Sequence, residues 1–467
     1  MTVQPESIMM PTIAMIVWNE FTNDARVLNE ARTLQASGYE VTVFALCKKP
    51  YTPATPWKET LPEGIKVVRV ASSPLALLLH AIKKPRTTFK THTERPSLPP
   101  FSQRKSGGLL RIVSKLTVHA NLLFRLVLTK PAIVHAHDVN TLPTAWLAAK
   151  LCRARIVYDA HEISTSREGY AAFRGLVAGI ESRLLPRTDA VITTTRLRAA
   201  FLARAWRIPR PLVLQNRPRR ISNVVRTSLL RERLGLQQPW PIVLYQGGLQ
   251  QGRGLHLFIN AALENKEAYF VLIGSGRLEH TLHEQICSLQ LQERVFILPT
   301  VPLRVLPLYT VSADIGVQPI ENTCLNHYTT DSNKLFEYIQ AHLPVVASGM
   351  PEIRRIVREH EVGMCTPAGD GRALSHAIGI LLKDEALRLR LRENARVAAE
   401  KVCWEAQESS LKKLYVSLCP QEEQPAPSRE YIAESQVCMI SSTHPPSRQK
   451  NGSAMAKPTM AASSSLI

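Results

Sequence analysis

Two glycine-rich turns in the second half of the chain each follow an apolar segment typical of a buried strand. The first turn contains Gly247, Gly248, Gly252, Arg253 and Gly254, and the second contains Gly274, Gly276 and Arg277. Glycine lets backbone N–H groups close on an anion, and a guanidinium can bind two phosphate oxygens at once. The first turn therefore indicates a phosphate site, with a plain turn and a surface arginine as the alternative. The second lacks the third glycine of a dinucleotide fingerprint, so it is a weak NAD signal.

A short polar segment before an amphipathic helix is the next candidate. Ser332 and Asn333 begin it, Lys334 lies in the first helical turn, and Glu337 lies one turn later. Free N–H groups at a helix start suit a diphosphate. The Glu337 carboxylate could accept two hydrogen bonds from the vicinal hydroxyls of a ribose. An ordinary capped helix with a surface glutamate is the alternative.

In the first half of the chain, titratable side chains follow two apolar segments. His135, His137 and Asp138 end the first, and His161 and Glu162 follow the second. In open α/β sheets the carboxyl ends of the strands line the ligand crevice. A zinc site is conceivable from His137, Asp138, His161 and Glu162, but no HExxH spacing and no cysteine partner accompanies them. No Asp-x-Asp occurs in the sequence either. We therefore predict that no metal is required.

The segment after the first predicted strand begins an amphipathic helix. Asn23, Asp24 and Arg26 open it. We expect Asp24 to cap the helix or to contact the acceptor, and Arg26 to point a cation into the crevice. Together with His137 and Asp138, these residues form the predicted acceptor-binding set.

Short β-branched segments alternate with helical patterns, which predicts parallel sheets covered on both faces. The predicted strands are 13–18, 41–46, 66–70, 133–136, 156–159, 190–193, 242–246, 269–273, 295–298, 315–318 and 344–347. An Arg/Pro-rich stretch separates the two series. We predict an N-terminal α/β domain over 12–217, a linker over 218–240, a C-terminal α/β domain over 241–402, a helix over 403–420 that returns to the N-terminal domain, and a disordered tail over 421–467.

The net charge of +20 is concentrated in two basic strips. Residues 83–130 and 196–233 each hold eleven basic residues and one acid, so the rest of the chain is neutral overall. The first strip combines a Pro-punctuated loop over 83–108 with an amphipathic helix over 109–128. That helix either packs on its own sheet or lies on an anionic membrane. The second strip either attracts an anionic ligand or is solvated surface arginine.

The eight cysteines are scattered without a CxxC pair, which indicates reduced thiols in a cytosolic protein. The N-terminus lacks a cationic region before its apolar segment, so a first strand is predicted there in place of a signal peptide. No apolar stretch reaches the roughly 18 residues that a spanning helix needs. We expect a cytoplasmic protein, at most peripheral at the inner face of the membrane.

In order and spacing these segments resemble the retaining glycosyltransferases of family 4, whose fold is GT-B, two facing Rossmann-like domains with a cleft between them. The resemblance covers about 12–418. The segments that carry it are NDARVLNEARTLQASGYEVTVFA, IVHAHDVNTLP, IVYDAHE, ADAVITTT, YQGGLQQGRGL, VLIGSGRLE, NKLFEYIQAHLPVVAS and MPEIRRIV, with CWEAQESSLKKLY resembling the final GT-B helix.

The resemblance implies roles for particular residues. Arg253 stands where the family usually has a diphosphate-binding lysine, and Gly248 where many members have an arginine, so Lys334 would share the missing charge. Glu337 matches the second glutamate of the E-x7-E pattern, which holds the ribose. Thr329 replaces the first glutamate, so the sugar-hydroxyl contact must come from elsewhere, with Asn333 and backbone amides as candidates. His161 matches the histidine beside the transferred sugar.

The expected activity is therefore transfer of a hexose from a nucleotide-diphosphate sugar to a saccharide or polyprenyl-linked acceptor, with retention and without a cofactor. Cell-envelope or exopolysaccharide synthesis is the expected setting, with residues 83–130 at an anionic membrane. A sugar-nucleotide epimerase or an impaired paralogue is the alternative within GT-B. A nucleic-acid-binding protein is less consistent with the sequence, because aromatic residues are not interleaved with the cations.

Overall fold

The computed structural model describes residues 11–47, 56–71 and 108–419, and the strands of these residues form two sheets. The loop predicted over 83–108 lies outside this part of the chain except for Gly108, which begins a helix. The predicted tail over 421–467 also lies outside it. The two sheets belong to two α/β domains, which agrees with the predicted fold class.

The first sheet has the order β3-β4-β2-β1-β5-β6-β7-β8. Of these strands, the short β3 pairs antiparallel, with β4, and the others pair parallel. The strands are β1 (Thr12–Ile16), β2 (Glu40–Cys47), β3 (Lys58–Thr60), β4 (Lys66–Ala71), β5 (Ile133–His137), β6 (Arg155–Ala160), β7 (Ala190–Thr193) and β8 (Leu212–Val213). Apolar clusters cover both faces, because side chains alternate between them along each strand.

The second sheet is parallel throughout, in the order β11-β10-β9-β12-β13-β14. Its strands are β9 (Ile242–Gln246), β10 (Tyr269–Ile273), β11 (Val295–Leu298), β12 (Ile315–Gln318), β13 (Val345–Ser348) and β14 (Gly363–Thr366). On β9, Ile242 and Leu244 pack on one face while Val243 and Tyr245 pack on the other. This strand order is that of a Rossmann fold.

All eleven strands predicted from the sequence are present, with ends shifted by at most two residues. Three strands were not predicted, namely β3, β8 and β14. Each is short, and β14 has the sequence GMCT, which lacks the β-branched run that marks a buried strand. β3 and β8 form by pairing with longer neighbours, and β14 by pairing with β13, rather than from local propensity.

Helices connect the strands and cover both sheets. The described α-helices are Ala25–Ala36, Gly108–Thr129, Leu142–Cys152, Arg174–Leu184, Arg196–Trp206, Leu229–Leu234, Leu255–Glu264, Glu279–Ser288, Leu306–Thr310, Leu325–Tyr328, Asn333–Gln340, Pro351–Glu359, Gly371–Lys383, Glu385–Ala399 and Glu408–Leu418. The helix Leu229–Leu234 falls inside the predicted linker, and its Leu230 is buried in the core of the second sheet.

The last described helix, Glu408–Leu418, packs on the first sheet although it follows the second domain in sequence. Leu411 and Tyr415 are buried in the first domain's core. Just before the helix, Trp404 Nε1 donates a hydrogen bond of 2.7 Å to Thr33 Oγ1. The chain therefore crosses back to the N-terminal half before residue 408.

The helix Gly108–Thr129 has a buried and an exposed apolar face. Val118, Leu122 and Leu126 pack into the first domain. The side chains of Ile112, Val113, Leu116, Phe124 and Leu128 are at least half exposed. Val113 and Leu116 belong to the apolar face that helical spacing predicts from the sequence. Both are exposed in the structure. By length and composition, the segment Ile112–Thr129 is apolar enough to cross a membrane.

Candidate functional site

Each sheet has a point where the strand order reverses, between β1 and β5 in the first and between β9 and β12 in the second. Loops on the two sides of such a point diverge, and ligands bind in the crevice this leaves at the carboxyl ends of the strands. The predicted site residues follow β1, β5, β6, β9, β10 and β12. The topology therefore brings each half of the predicted set to one crevice.

In the second domain, Gln246 at the end of β9 orients the carboxylate of Glu337. The Gln246 side-chain amide donates to Glu337 Oε2. Its oxygen is fixed in turn by Thr310 Oγ1, which donates to Gln246 Oε1 at 2.8 Å. Burial raises the pKa of Glu337, while Gln246 and Lys334 oppose that shift. The helix Asn333–Gln340 thus presents an oriented hydrogen-bond acceptor to the crevice.

Lys334 is partly buried, and none of the carboxylates in the described part of the chain forms an ion pair with it. Its Nζ lies 5.3 Å from the centre of the Tyr245 ring. Burial, together with the nearby positive charge of Arg253, lowers the pKa of Lys334 to about 7, although Glu337 opposes the shift. An anion bound here would reverse that shift, because it would stabilise the ammonium form.

Gly247 provides the space that Lys334 occupies. A Cβ at Gly247 would lie 2.4 Å from Lys334 Cε, and the backbone there has a φ of +132°. Gly274 and Gly276 act differently, since a Cβ on either would collide with the backbone oxygens of Gly247 and Leu249, respectively. The two glycine-rich turns therefore pack backbone against backbone. At Gly248 a side chain would fit, since a Cβ there would lie 3.7 Å from its nearest neighbour, a side-chain atom of Gln250.

The start of the helix Asn333–Gln340 has an unusual backbone. Ser332 precedes it with a φ of +53° and a ψ of 131°, which costs a non-glycine residue conformational energy. Its hydroxyl does not cap the helix. Asn333 is exposed. The first N–H groups of this helix are thus without a side-chain cap, as an anion site requires.

In the first domain, Arg26 is not the free cation that the sequence led us to expect. Its Nε and Nη2 each donate to one oxygen of Asp159 at 2.7 Å, and its Nη1 donates to Leu214 O at 2.6 Å. The side chain is 2% exposed. Asp159 is itself fully buried at the end of β6, so it attracts the guanidinium away from the crevice. Direct contact between Arg26 and an acceptor is therefore not supported by this geometry.

Two histidines complete this arrangement. His137 Nδ1 lies 3.3 Å and His161 Nε2 lies 3.0 Å from Asp159 Oδ2. Burial lowers the pKa of His161, but Asp159 and Asp138 outweigh it and raise the value to about 9. Burial lowers the pKa of His137. His137 is therefore a buried neutral partner, whereas His161, whose side chain is 22% exposed, presents an imidazolium to the crevice.

Among the described residues, one cluster has ligand atoms close enough for a metal ion. Glu30, His135, His137 and Asp159 are all buried and offer atoms within 4.8 Å of one another. Arg26 already occupies this cluster, since it binds both Asp159 oxygens and lies 3.3 Å from Glu30 Oε1. Burial raises the pKa of Glu30 to about 8, which favours its protonated form. The guanidinium supplies the positive charge that a metal would otherwise bring.

The remaining predicted acceptor residues lie at the rim. Asp24 caps the helix Ala25–Ala36, accepting from Val27 N at 3.2 Å, and Asn23 is exposed. Asp138 has a φ of +63° and forms an ion pair with Arg167 at 3.3 Å. Asn23 and Asp138 remain accessible, whereas Asp24 has a structural role.

Three of the eleven arginines in the second basic strip form ion pairs with acids that lie outside the strip. Its ion pairs join Arg219 to Glu405, Arg220 to Glu400, and Arg226 to Asp314. The strip thus ties the segment after Leu214 to the second domain and to the segment before the last helix. These three arginines therefore have a structural role.

The two domains meet through polar groups that the sequence did not single out. Asn326 pairs with the backbone of Ile163 through two hydrogen bonds, and Gln215 Nε2 donates to Asp331 Oδ2 at 2.8 Å. Arg198 donates to Asn326 O and to Thr329 Oγ1. These partners are far apart in sequence, so no local pattern marks them. Gln246 is different, because a polar residue ending an apolar strand is a signal that could have found it.

Two family models match this chain, and together they cover most of it. The "Glycosyl transferase 4-like domain" matches 24–217, and "Glycosyl transferases group 1" matches 227–398. The chain belongs to glycosyltransferase family 4. It is a glycosyltransferase of GT-B type with a sugar-nucleotide donor.

Curated relatives and solved structures agree with this assignment. The glycosyltransferase is 26% identical over 308 residues to a D-inositol 3-phosphate glycosyltransferase of Xylanimonas cellulosilytica, covering 61% of this chain and 71% of the relative. It is 26% identical over 318 residues to a phosphatidyl-myo-inositol mannosyltransferase of Mycobacterium leprae. That match covers 66% of this chain and 80% of the relative.

Among solved structures, a sucrose-phosphate synthase from Thermosynechococcus elongatus superposes with a TM-score of 0.67 at 19% identity, covering 87% of this chain and 99% of that one. The Anabaena protein HepE, solved in complex with UDP-glucose, superposes with a TM-score of 0.64 at 16% identity. The superposition covers 87% of this chain and 100% of HepE. At these identities the structures establish the fold.

Proposed function

We propose that this glycosyltransferase transfers a hexose, with retention of configuration, from a UDP-sugar to a phosphate-bearing or lipid-linked saccharide acceptor in envelope or exopolysaccharide synthesis. The observation that carries the donor part is the pair of cations Arg253 and Lys334, close enough for one to lower the pKa of the other. A diphosphate would balance both charges. Solved HepE binds UDP-glucose, and the named relatives act on inositol phosphate or phosphatidyl-inositol acceptors.

Donor recognition then divides between a diphosphate-binding part and a ribose-binding part of the second domain. Arg253, Lys334 and the uncapped helix start bind the diphosphate. The Glu337 carboxylate, held by Gln246, accepts hydrogen bonds from the ribose hydroxyls. Negative charge that develops on the leaving diphosphate is stabilised by the same cations, and this lowers the barrier to departure.

The chemistry proposed is front-face substitution. The bond between the sugar and the leaving diphosphate breaks as the acceptor oxygen bonds to the same face of the anomeric carbon, and the acceptor proton passes to the diphosphate. His161, protonated at neutral pH, donates a hydrogen bond to a hydroxyl of the transferred sugar or to the acceptor; it does not act as the base. No metal and no further cofactor enters this proposal.

Donor hydrolysis and transfer with a panel of sugar nucleotides test the site. Arg253→Ala and Glu337→Ala should each lower the rate of UDP-sugar turnover by at least about tenfold, since each removes a charged contact. Lys266→Ala, an exposed lysine of the same domain, is the control. Wild-type rates in both site variants would contradict the assignment. The anomeric configuration of the product, measured by NMR, tests retention, and an inverted product would exclude it.

A sugar-nucleotide epimerase is the second candidate, and Thr329 is the observation that favours it, because the residue expected to hold the sugar is replaced. An epimerase would convert the donor sugar without any acceptor. The same donor panel, analysed for epimerised sugar nucleotide in the absence of acceptor, separates the two activities.

We further propose that the exposed apolar face of the helix Gly108–Thr129 lies on an anionic membrane. Phe124 and Leu128 are each 65% exposed, and Leu147 and Leu151 of the adjoining helix are also exposed. The same stretch of sequence carries a net charge of +10 over 83–130. An apolar face flanked by cations matches the interface of an anionic bilayer, where each basic residue contributes roughly 1 kcal/mol.

Flotation with liposomes tests the membrane proposal. Binding should rise with the fraction of phosphatidylglycerol in phosphatidylcholine vesicles and fall with salt. Leu116→Ser combined with Phe124→Ser should weaken it at least about tenfold, because the apolar contact with the bilayer is lost. Leu389→Ser, at an equally exposed leucine of the second domain, should not. Equal binding to neutral vesicles, or equal binding by the double variant, would contradict the proposal.

A further inference from the structure

One segment of the second domain, residues 319–332, joins three parts of the molecule. Glu321 N donates to Gly252 O at 3.0 Å, which ties the segment to the glycine-rich turn that holds Arg253. Its end, Ser332, begins the helix that carries Lys334 and Glu337. In between, Asn326 and Thr329 contact the first domain. The segment therefore connects the donor site to the domain interface.

Arg198 of the first domain binds this segment and the His161 backbone at once. Its Nη1 donates to His161 O at 2.7 Å, its Nη2 donates to Asn326 O at 3.1 Å, and its Nε donates to Thr329 Oγ1 at 3.2 Å. Its Nη1 also donates to Thr194 Oγ1 at 2.6 Å. The planar guanidinium fixes these directions relative to one another, which a lysine ammonium cannot do.

The same two loops are joined a second time by Asn326. Ile163 N donates to Asn326 Oδ1 at 2.8 Å, and Asn326 Nδ2 donates back to Ile163 O at 3.0 Å. Asn326, Ile163, Arg198 and Thr329 are all less than 9% exposed. Separating the domains would break buried hydrogen bonds on both sides, so the contact is specific as well as stabilising.

The acceptors of Arg198 are all uncharged. Described carboxylates make no ion pair with it, and burial lowers its pKa while the more distant Asp331 raises it. A buried cation that serves only to stabilise a fold is usually paired with an acid. Here the guanidinium is used for its geometry, since it holds one carbonyl of the His161 loop and two groups of the segment before the donor helix.

We infer that Arg198 is a positioning residue, which together with Asn326 and Thr329 forms an interdomain latch that fixes His161 relative to the donor-binding helix. This inference rests on the proposed function, because it assigns the latch to placing the transferred sugar. Thr329 stands where the resemblance expected a glutamate, and in this chain its hydroxyl is part of the latch. The latch contributes to the chemical step and leaves nucleotide binding to the second domain alone.

Kinetic variants test the positioning role. Arg198→Lys and Thr329→Val should lower kcat for sugar transfer about 10- to 100-fold, because small misplacements of reacting groups have effects of that size. The Kd for UDP, measured by calorimetry, should change less than about twofold. Thr329→Ser, which keeps the hydroxyl, should restore kcat, and Arg204→Lys, at an exposed position on the same helix, is the matched control. Unchanged kcat in both variants, or a UDP Kd that weakens in proportion to kcat, would overturn the inference.

Hydrogen exchange tests the latch independently of activity. The Ile163 amide donates to Asn326, so Asn326→Ala should increase its exchange rate about tenfold or more while the amides of β6 stay protected. Unchanged exchange at Ile163 would overturn the latch. If the wild-type protein neither bound nor turned over any sugar nucleotide, the proposed function would fail, and the exchange result alone would then decide whether the latch exists.

Discussion

The cations in the two halves of the cleft differ in whether a carboxylate of the chain pairs with them. In the first domain, Arg26 is buried and bound through both of its arms to Asp159. In the second domain, Lys334 and Arg253 lie near each other, and among the described residues no carboxylate forms an ion pair with either. The first arrangement is complete without a ligand. The second lacks its counter-charge.

Whether a buried charge is already paired within the chain distinguishes a structural role from a ligand-binding one. The residue type alone does not make that distinction. Removing one partner of a buried ion pair leaves the other charge uncompensated, so losing either Arg26 or Asp159 alone should destabilise the first domain. Two neighbouring cations with a lowered lysine pKa are instead destabilising until an anion arrives. We therefore expect substitutions in the two regions to change different measured quantities.

The largest expected effect is on the stability of the first domain. Asp159→Ala leaves Arg26 buried without its acid and should lower the free energy of unfolding by about 3–5 kcal/mol. Urea unfolding measures it. The double variant Arg26→Met with Asp159→Leu, which removes both charges, should recover most of the loss. A destabilisation by Asp159→Ala below about 1 kcal/mol would remove the distinction between the two regions.

The next effect is on ligand affinity in the second domain. Lys334→Gln should weaken UDP-glucose binding by about 1.5–3 kcal/mol, which is roughly 10- to 100-fold, because it removes a charged hydrogen bond to phosphate. The free energy of unfolding should stay the same or rise, since the variant buries no unpaired ammonium. Calorimetry and urea unfolding of one preparation measure both quantities, with Lys266→Gln as the control. A stability loss equal to the affinity loss would count against the assignment.

The pH dependence of binding sharpens the comparison further. The pKa of Lys334 is lowered to about 7 in the free protein, so the ammonium predominates below that pH and is lost as the pH rises through it. A bound diphosphate raises that pKa, so affinity for UDP-glucose should fall roughly tenfold between about pH 6.5 and 8.5. Lys334→Arg stays charged and should flatten the profile. A flat wild-type profile would contradict the assignment.

The smallest effect distinguishes two carboxylates within the first domain. Burial raises the pKa of Glu30 to about 8, so the folded protein holds a proton there that the unfolded chain releases above about pH 4.5. This group therefore lowers stability as the pH rises from about 4.5 to 8. Glu30→Gln should leave stability at neutral pH unchanged or raise it, because the neutral amide needs no proton uptake on folding, and it should remove that part of the pH dependence. A loss as large as that of Asp159→Ala would show that Glu30 is ionised.

The sequence predicted the sheets well because long parallel strands buried on both faces have a strong local signature. The eleven predicted strands carried it, and β14 did not, although it is as long as β7, β11, β12 and β13. The second-domain site was also predictable, because Lys334 and Glu337 lie on one helix and the glycines lie in two short turns. Short spacings fix such groups relative to one another. The burial of Lys334 and Glu337 was not predictable from these spacings, and so the lowered pKa of Lys334 was not predictable either.

The first-domain site was predicted less well, because its geometry depends on contacts between distant segments. Arg26 was expected to be a free cation, and a partner 133 residues away neutralises it. Arg198 was only one of eleven basic residues in a strip, and its partner Thr329 lies 131 residues further along. Nothing near either residue indicates whether its charge will be buried, paired or exposed.

The sequence by itself determined the fold class and the family, and it brought the groups that we propose bind phosphate to one crevice, because these depend on periodicity and short-range spacing. Only the tertiary structure decided which cations are available to a ligand. Burial and pairing set that availability, and both arise when segments more than a hundred residues apart pack together. The same packing turned Arg198 from one charge in a strip into the residue that joins the two domains beside His161.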